Sequence, residues 1–277
     1  MTSTSSTTGP DRWHHYAAAS NRSRSAGRLY WDWYQRIGPG DELLGDLTDC
    51  TVADLGAGAG HQAAYVAAEL GAARVVAIDS SAAQHARSNN VYGDVCGLDF
   101  VLDDAATYLQ AHPGCLDVVY SIFGALDFTD PRALLPAASA ALRPGGFLVF
   151  STLARYRTGA PPETECRPAD IATRMPDGSS GTVQRWVLGT SVWRKLLDEH
   201  GFDVAYHGAV HDSGRRGEAP PMTTALFRAR KRDIDPNASA PPPRKRIAPG
   251  APGDHSVQQP RQPSSSAVTS PWSRGGR

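Results

Sequence analysis

The sequence predicts an α/β fold: a doubly wound, seven-stranded, mostly parallel sheet whose last strand is antiparallel. Three observations carry this. The stretch Thr51 to Ser80, TVADLGAGAGHQAAYVAAELGAARVVAIDS, reads as strand, glycine turn, helix, strand and acid. Seven short apolar runs are spaced along the chain, and helix-forming stretches separate the first six, the alternation of parallel α/β proteins. The last two runs have no helical stretch between them, so the seventh turns back as a hairpin.

In chain order, residues 1–11 are Ser/Thr-rich and expected to be disordered. Residues 12–40 hold Trp13, Tyr16, Tyr30, Trp31, Trp33 and Tyr34, an aromatic density unusual for a linker. Trp31 and Tyr34, three apart, would share a helix face with Ile37. This segment is predicted to be a helical lid, packed so as to exclude water. Gly38-Pro39-Gly40 stops it, and 41–47 gives a short helix at the start of a main domain over 41–231.

The first strand is 51–55. Gly56, Gly58 and Gly60 then make the turn into a helix over 62–70, which Gly71 ends. These glycines allow backbone amides to approach a ligand, and the helix N-terminus adds partial positive charge. Strand 74–78 follows, with Asp79 at its carboxyl end, where a carboxylate can hold a ribose diol. Ser80 is placed to cap a helix over 81–89. Strand 98–102 leads to Asp103 and Asp104, ahead of a helix over 105–110. Strand 116–121 comes next, then a helix over 131–142. The turn Arg143-Pro144-Gly145-Gly146 reverses the chain into strand 147–152.

Residues 153–189 show no periodicity and are too long for an ordinary connector. They read as a substrate-specificity insertion with short strands around 183–188, because loops at the carboxyl ends of parallel strands carry function. Thr190 or Ser191 caps a helix over 192–200, and Gly201 ends it. The sixth strand is 202–206 and the last 223–229, so the connection 207–221 should sit on the ligand side. From Arg232 to Arg277 the chain becomes Pro-, Ser- and Arg-rich and is expected to be a disordered tail.

Composition narrows the function classes. Lys plus Arg and Asp plus Glu both number 28, so net charge gives no prior for nucleic acid or a membrane surface as partner. Cys50, Cys96, Cys115 and Cys166 are scattered, with neither a C-x-x-C pair nor zinc spacing. They read as reduced thiols of a cytoplasmic protein. The N-terminus has no apolar core of a signal peptide, and no run approaches the ~20 apolar residues of a membrane span. Oligomeric state stays open.

The glycine loop loosely fits a dinucleotide fingerprint. Asp54, however, precedes the first glycine by two residues, giving D-x-G-x-G-x-G. A carboxylate there repels a pyrophosphate and attracts a cationic amino-acid head group. With Asp103-Asp104-Ala105 and Leu142-Arg143-Pro144-Gly145-Gly146, the chain from about Asp41 to Arg230 resembles the class I S-adenosylmethionine-dependent methyltransferases, with their Rossmann-like sheet. The resemblance implies S-adenosyl-L-methionine as cofactor and a small-molecule acceptor, in secondary metabolism. It implies Asp104 at the adenine amine with the Ala105 amide nearby, and Tyr34 near the methionine end. Ser80, Tyr120 and Ser121, at strand ends, complete the cofactor-binding set with Asp54, Gly56, Gly58, Gly60 and Asp79.

Tyr120-Ser121-Ile122-Phe123 lacks the Asp/Asn-Pro-Pro-aromatic turn of exocyclic-amine base methyltransferases, which argues against a flipped base. Ser121 is a poor substitute for a magnesium ligand, so no metal is expected. His14, His15, Tyr16, Asp127, His207 and His211 are candidate general bases. His15 and His207 are favoured by where the fold should place them, because imidazole titrates near neutrality. Acceptor walls are expected from the 12–34 region, the 122–130 loop, 153–189 and 207–221. Two other readings remain at this point: an NAD(P)-dependent Rossmann oxidoreductase, and a non-catalytic S-adenosylmethionine-binding partner protein.

Overall fold

The computed structural model describes residues 28–174, 180–215 and 220–233. Its centre is β1 (Thr51–Leu55), which pairs in parallel with β2 (Arg74–Asp79) on one side and β4 (Leu116–Ile122) on the other. β3 (Leu98–Leu102) extends the sheet beyond β2, and β5 (Leu142–Leu153) beyond β4, again in parallel. β9 (Met222–Lys231) lies antiparallel between β5 and β8 (Phe202–Asp212). The order is β3-β2-β1-β4-β5-β9-β8, the predicted seven-stranded sheet with its antiparallel last strand.

Strand alternation divides the core in two. Ala53, Leu55, Val76, Ile78 and Val119 face one side with the helices Ala105–Ala111, Pro131–Ala141 and Thr190–Glu199. Val52, Val75, Ala77, Val118 and Tyr120 face the other, with the helix His61–Glu69 and Leu29, Trp31, Leu44 and Leu47. Successive strands step outward from β1 in opposite directions. A crevice therefore opens between the carboxyl ends of β1 and β4, where ligands sit in doubly wound sheets.

Several local expectations are corrected. Residues 28–40 contain no helix. The buried Asp32 collects the amides instead: Oδ2 accepts from Tyr34 N at 3.1 Å, and Oδ1 from Arg36 N at 2.8 Å and Ile37 N at 3.1 Å. A short acidic side chain offers the backbone an alternative to the helical ladder. Trp31 and Tyr34 share no face: Trp31 is buried against Tyr120 and donates to Gly40 O, while Tyr34 Oη donates to Pro220 O at 2.7 Å. The 41–47 helix shrinks to a 3-10 turn, Asp41–Leu43. Ser81, one residue later than expected, caps the helix Ala82–Tyr92 by accepting from Gln84 N. Neither Thr190 nor Ser191 caps; the helix Thr190–Glu199 starts on Gly189 without a side-chain cap.

Arg143 to Gly146 lie inside β5 as an irregularity, since Leu116 pairs with Leu142 and the next pair is Val118 with Phe147. Arg143 pins this detour by its ion pair with Asp117. The 153–189 segment contains a separate antiparallel hairpin, β6 (Ala169–Arg174) with β7 (Ser180–Arg185). Its continuation Trp186-Val187-Leu188 is buried in the main body. β8 runs on through Asp212, so 207–212 is strand and not loop. Residues 1–11, most of the 12–40 segment, and the tail beyond 233 lie outside the described residues.

Candidate functional site

A cavity of about 860 Å³ fills the crevice at the β1/β4 switch point. Of the three glycines that open it, each has a different task. All have positive φ: Gly56 +76°, Gly58 +55° and Gly60 +77°. A Cβ on Gly56 would stand 2.5 Å from Ala125 N, so this glycine lets the tips of β1 and β4 touch. Gly124 is its counterpart, since a Cβ there would stand only 2.3 Å from Leu55 O. A Cβ on Gly60 would meet Phe100 at 2.6 Å and Ser88 at 2.8 Å. Gly60 is thus a packing glycine and is absent from the cavity wall, contrary to the cofactor role expected of it. Only Gly58 has open space, with Gln84 Nε2 at 3.8 Å its sole neighbour.

Two carboxylates share the cavity wall with Gly58. Asp79, at the tip of β2, accepts from Gly58 N through Oδ2 and from Ser81 N through Oδ1, each at 2.8 Å. Each oxygen keeps a lone pair for a ligand hydroxyl. Burial raises the Asp79 pKa, against the lowering by those two amides. Asp54, on β1, is buried and lines the cavity. It accepts from Tyr120 Oη at 3.0 Å. Burial pushes its carboxyl up to about 7, outweighing the Tyr120 hydrogen bond. Among the described residues no cation pairs with Asp54, so a positive ligand group would complete it.

Asp104 and Ala105 line the cavity beyond Asp79, as does Ser80. Asp104 also caps its helix, accepting from Thr107 N at 3.0 Å, so capping and lining coexist in one side chain. Tyr120 and Ser121 stand behind the wall. Tyr120 reaches the site only through Asp54, and Ser121 Oγ donates to Leu55 O at 2.8 Å. Tyr34 is off the wall too, while its neighbours Asp32, Trp33 and Gln35 form part of it.

The base candidates scatter. His14, His15 and Tyr16 lie outside the described residues. His207 and His211 sit exposed on the edge strand β8, outside the cavity wall, because that strand continues through them. Asp127 is buried away from the cavity in an ion pair with Arg185, and it accepts from Thr152 Oγ1. The imidazole that does line the cavity is His61, at the start of the helix after the glycine loop. Its Nε2 is 3.3 Å from Gln35 Nε2, and its Nδ1 is buried with no hydrogen-bond partner. Burial lowers its pKa, so it is neutral near pH 7. Its position directly after the last glycine was the available signal for it.

Past β4 the wall becomes aromatic. Phe123, in the left-handed region at φ +49°, stands edge-on to Trp33 with centroids 5.0 Å apart. Phe128 and Arg157 complete this side. The expected acceptor walls therefore contribute in three cases, through Trp33, the 122–130 loop and Arg157; the 207–215 and 220–221 residues do not line the cavity. Among the described residues no cluster of His, Cys, Asp or Glu could hold a metal ion, and no helix is long and apolar enough to cross a membrane.

A donor set of carboxylates sharing a wall with an open glycine fits a cationic nucleoside and opposes a diphosphate. Residues 52–146 match the family model described as a methyltransferase domain. A ubiquinone biosynthesis O-methyltransferase of Thiobacillus denitrificans is 32% identical over 104 residues, covering 38% of this chain and 44% of that protein. The chain spans less than half the length of the curated relatives it matches. An S-adenosylmethionine-dependent methyltransferase from Mesorhizobium loti shares the fold at TM-score 0.50 and 19% identity, over 69% of this chain and 94% of that one. One from Methanosarcina mazei does so at TM-score 0.52 and 16% identity, over 66% and 93%. Residues 52–146 are thus similar to a methyltransferase domain, and the sheet that contains them has the fold of S-adenosylmethionine-dependent methyltransferases.

Proposed function

We propose that this protein transfers a methyl group from S-adenosylmethionine to a small-molecule acceptor. The observation that carries the reading is that Asp54, Asp79 and the open Gly58 line one cavity at the switch point, with Asp79 accepting from Gly58 N. In this reading Asp54 pairs with the cofactor's ammonium, Asp79 with its ribose hydroxyls, and Asp104 with the adenine amine. The bound sulfonium supplies an electrophilic methyl group. The protein's own task is then to hold the acceptor in line and exclude water, work suited to the wall of Trp33, Phe123 and Phe128. His61, uncharged near pH 7, takes the place given to His207 as the imidazole able to accept a proton.

Oxygen acceptors are the first to try, because the curated relatives are named as O-methyltransferases. A cytoplasmic location and a role in secondary metabolism remain part of the proposal, the former supported by four free cysteines. Incubation of the purified protein with methyl-labelled S-adenosylmethionine and a metabolite extract tests the reading. A labelled small molecule is the expected product. Binding of S-adenosylhomocysteine without any labelled product would favour a non-catalytic partner protein.

A further inference from the structure

The sheet order places the two sides of the cavity in different chemistry. Asp79 and Asp104 follow β2 and β3, on one side of β1. Phe123, Phe128 and Arg157 follow β4 and β5, on the other, and Trp33 packs against Phe123. On this second side the aromatic rings are already set against cations. The Arg185 guanidinium lies 5.2 Å from the Trp33 centroid and 5.0 Å from that of Phe128. Arg157 lies 5.7 Å from Trp33.

The two arginines differ in how their charge is met. Arg185 is buried and its charge is answered by Asp127. Arg157 is exposed on the cavity wall, and among the described residues it makes no ion pair and donates no hydrogen bond. The acids on this side are otherwise engaged: Asp32 accepts from three amides, and Asp130 caps a helix by accepting from Arg132 N at 2.9 Å. An amine entering here would meet the Arg157 guanidinium. An anion would meet a free planar fork matched to carboxylate geometry.

We propose that the acceptor is a planar aromatic anion, its ring against Trp33 and Phe123 and its charge on Arg157. This rests on the methyl-transfer reading above. The test is calorimetric titration of the protein saturated with S-adenosylhomocysteine. The probes are benzoate, hydroxybenzoates, dihydroxybenzoates and naphthoates, each matched to its primary amide and its aminomethyl analogue. At least one acid should bind about tenfold or more tightly than its amide, as expected for a charge-assisted hydrogen-bonded pair. Arg157→Gln should abolish that preference with S-adenosylhomocysteine affinity unchanged, and Arg157→Lys should keep part of it. The proposal is overturned if no acid outbinds its amide, if the amines bind best, or if the preference survives Arg157→Gln. Failure of S-adenosylhomocysteine to bind the wild-type protein is a distinct result: it removes the methyl-transfer reading, and this proposal with it.

Discussion

Asp54 shows how one buried side chain links stability to ligand charge. Its carboxyl titrates near 7 in the fold against a value near 4 in an unfolded chain. The folded state thus binds this proton more tightly. The resulting stability is complete below about pH 4 and is lost as pH rises through about 7, an effect of up to about 4 kcal/mol. Urea denaturation of the ligand-free protein at pH 5 and pH 8 should show this loss in wild type and a flatter response in Asp54→Asn. An equal pH response in both would remove Asp54 as its source. A ligand ammonium would favour the ionised carboxylate, so affinity for S-adenosylhomocysteine should climb between pH 6 and pH 8. At this scale the carboxylates were legible, since a residue at a strand tip has few places to go. His61 was less so, because its burial depends on Gln35 and the 28–37 turns, which come from a distant part of the chain.

At the scale of elements, the glycine loop is better understood as three separate demands. Gly60 has positive φ and no room, while Gly58 has positive φ and open space. Ala at Gly60 should cost about 2–4 kcal/mol from left-handed backbone and overpacking against Phe100 and Ser88. Ala at Gly58 should cost only about 1–2 kcal/mol, from backbone alone. Urea midpoints of the two variants check this ordering; equal losses would contradict it. The pattern of glycines could be read from the chain, but their division of labour could not, because it is set by Phe100, Ser88 and Ala125 from other elements. The central strands were legible because they are apolar on both faces. β8 was cut short for the opposite reason: as an edge strand it carries exposed Tyr206, His207 and His211, so its second half leaves no apolar run. Over residues 28–40 aromatic spacing suggested a helix, which is absent because Asp32 draws three amides into turns.

Across the whole molecule, the described residues supply the sheet, two core faces and a cavity wall, while the sequence after residue 233 is Pro-, Ser- and Arg-rich with few apolar residues to pack. A chain ending after residue 233 should therefore keep the melting temperature within a few degrees and the full affinity for S-adenosylhomocysteine. A large loss of either would give the remaining residues a part in the fold or the site. The switch point also distinguishes the two nucleotide classes that use such a sheet. Asp54, Asp79, Asp103 and Asp104 all line the cavity, a wall that favours a cationic ligand over a diphosphate.

The most direct measurement is calorimetric titration of S-adenosylhomocysteine, and separately of NAD, into the wild-type protein and Asp79→Ala. S-adenosylhomocysteine should bind wild type one to one, and Asp79→Ala should weaken it more than about tenfold, since hydrogen bonds to a charged group contribute roughly 1.5–3 kcal/mol. Binding of NAD in its place, or an affinity for S-adenosylhomocysteine that Asp79→Ala leaves unchanged, would contradict the account.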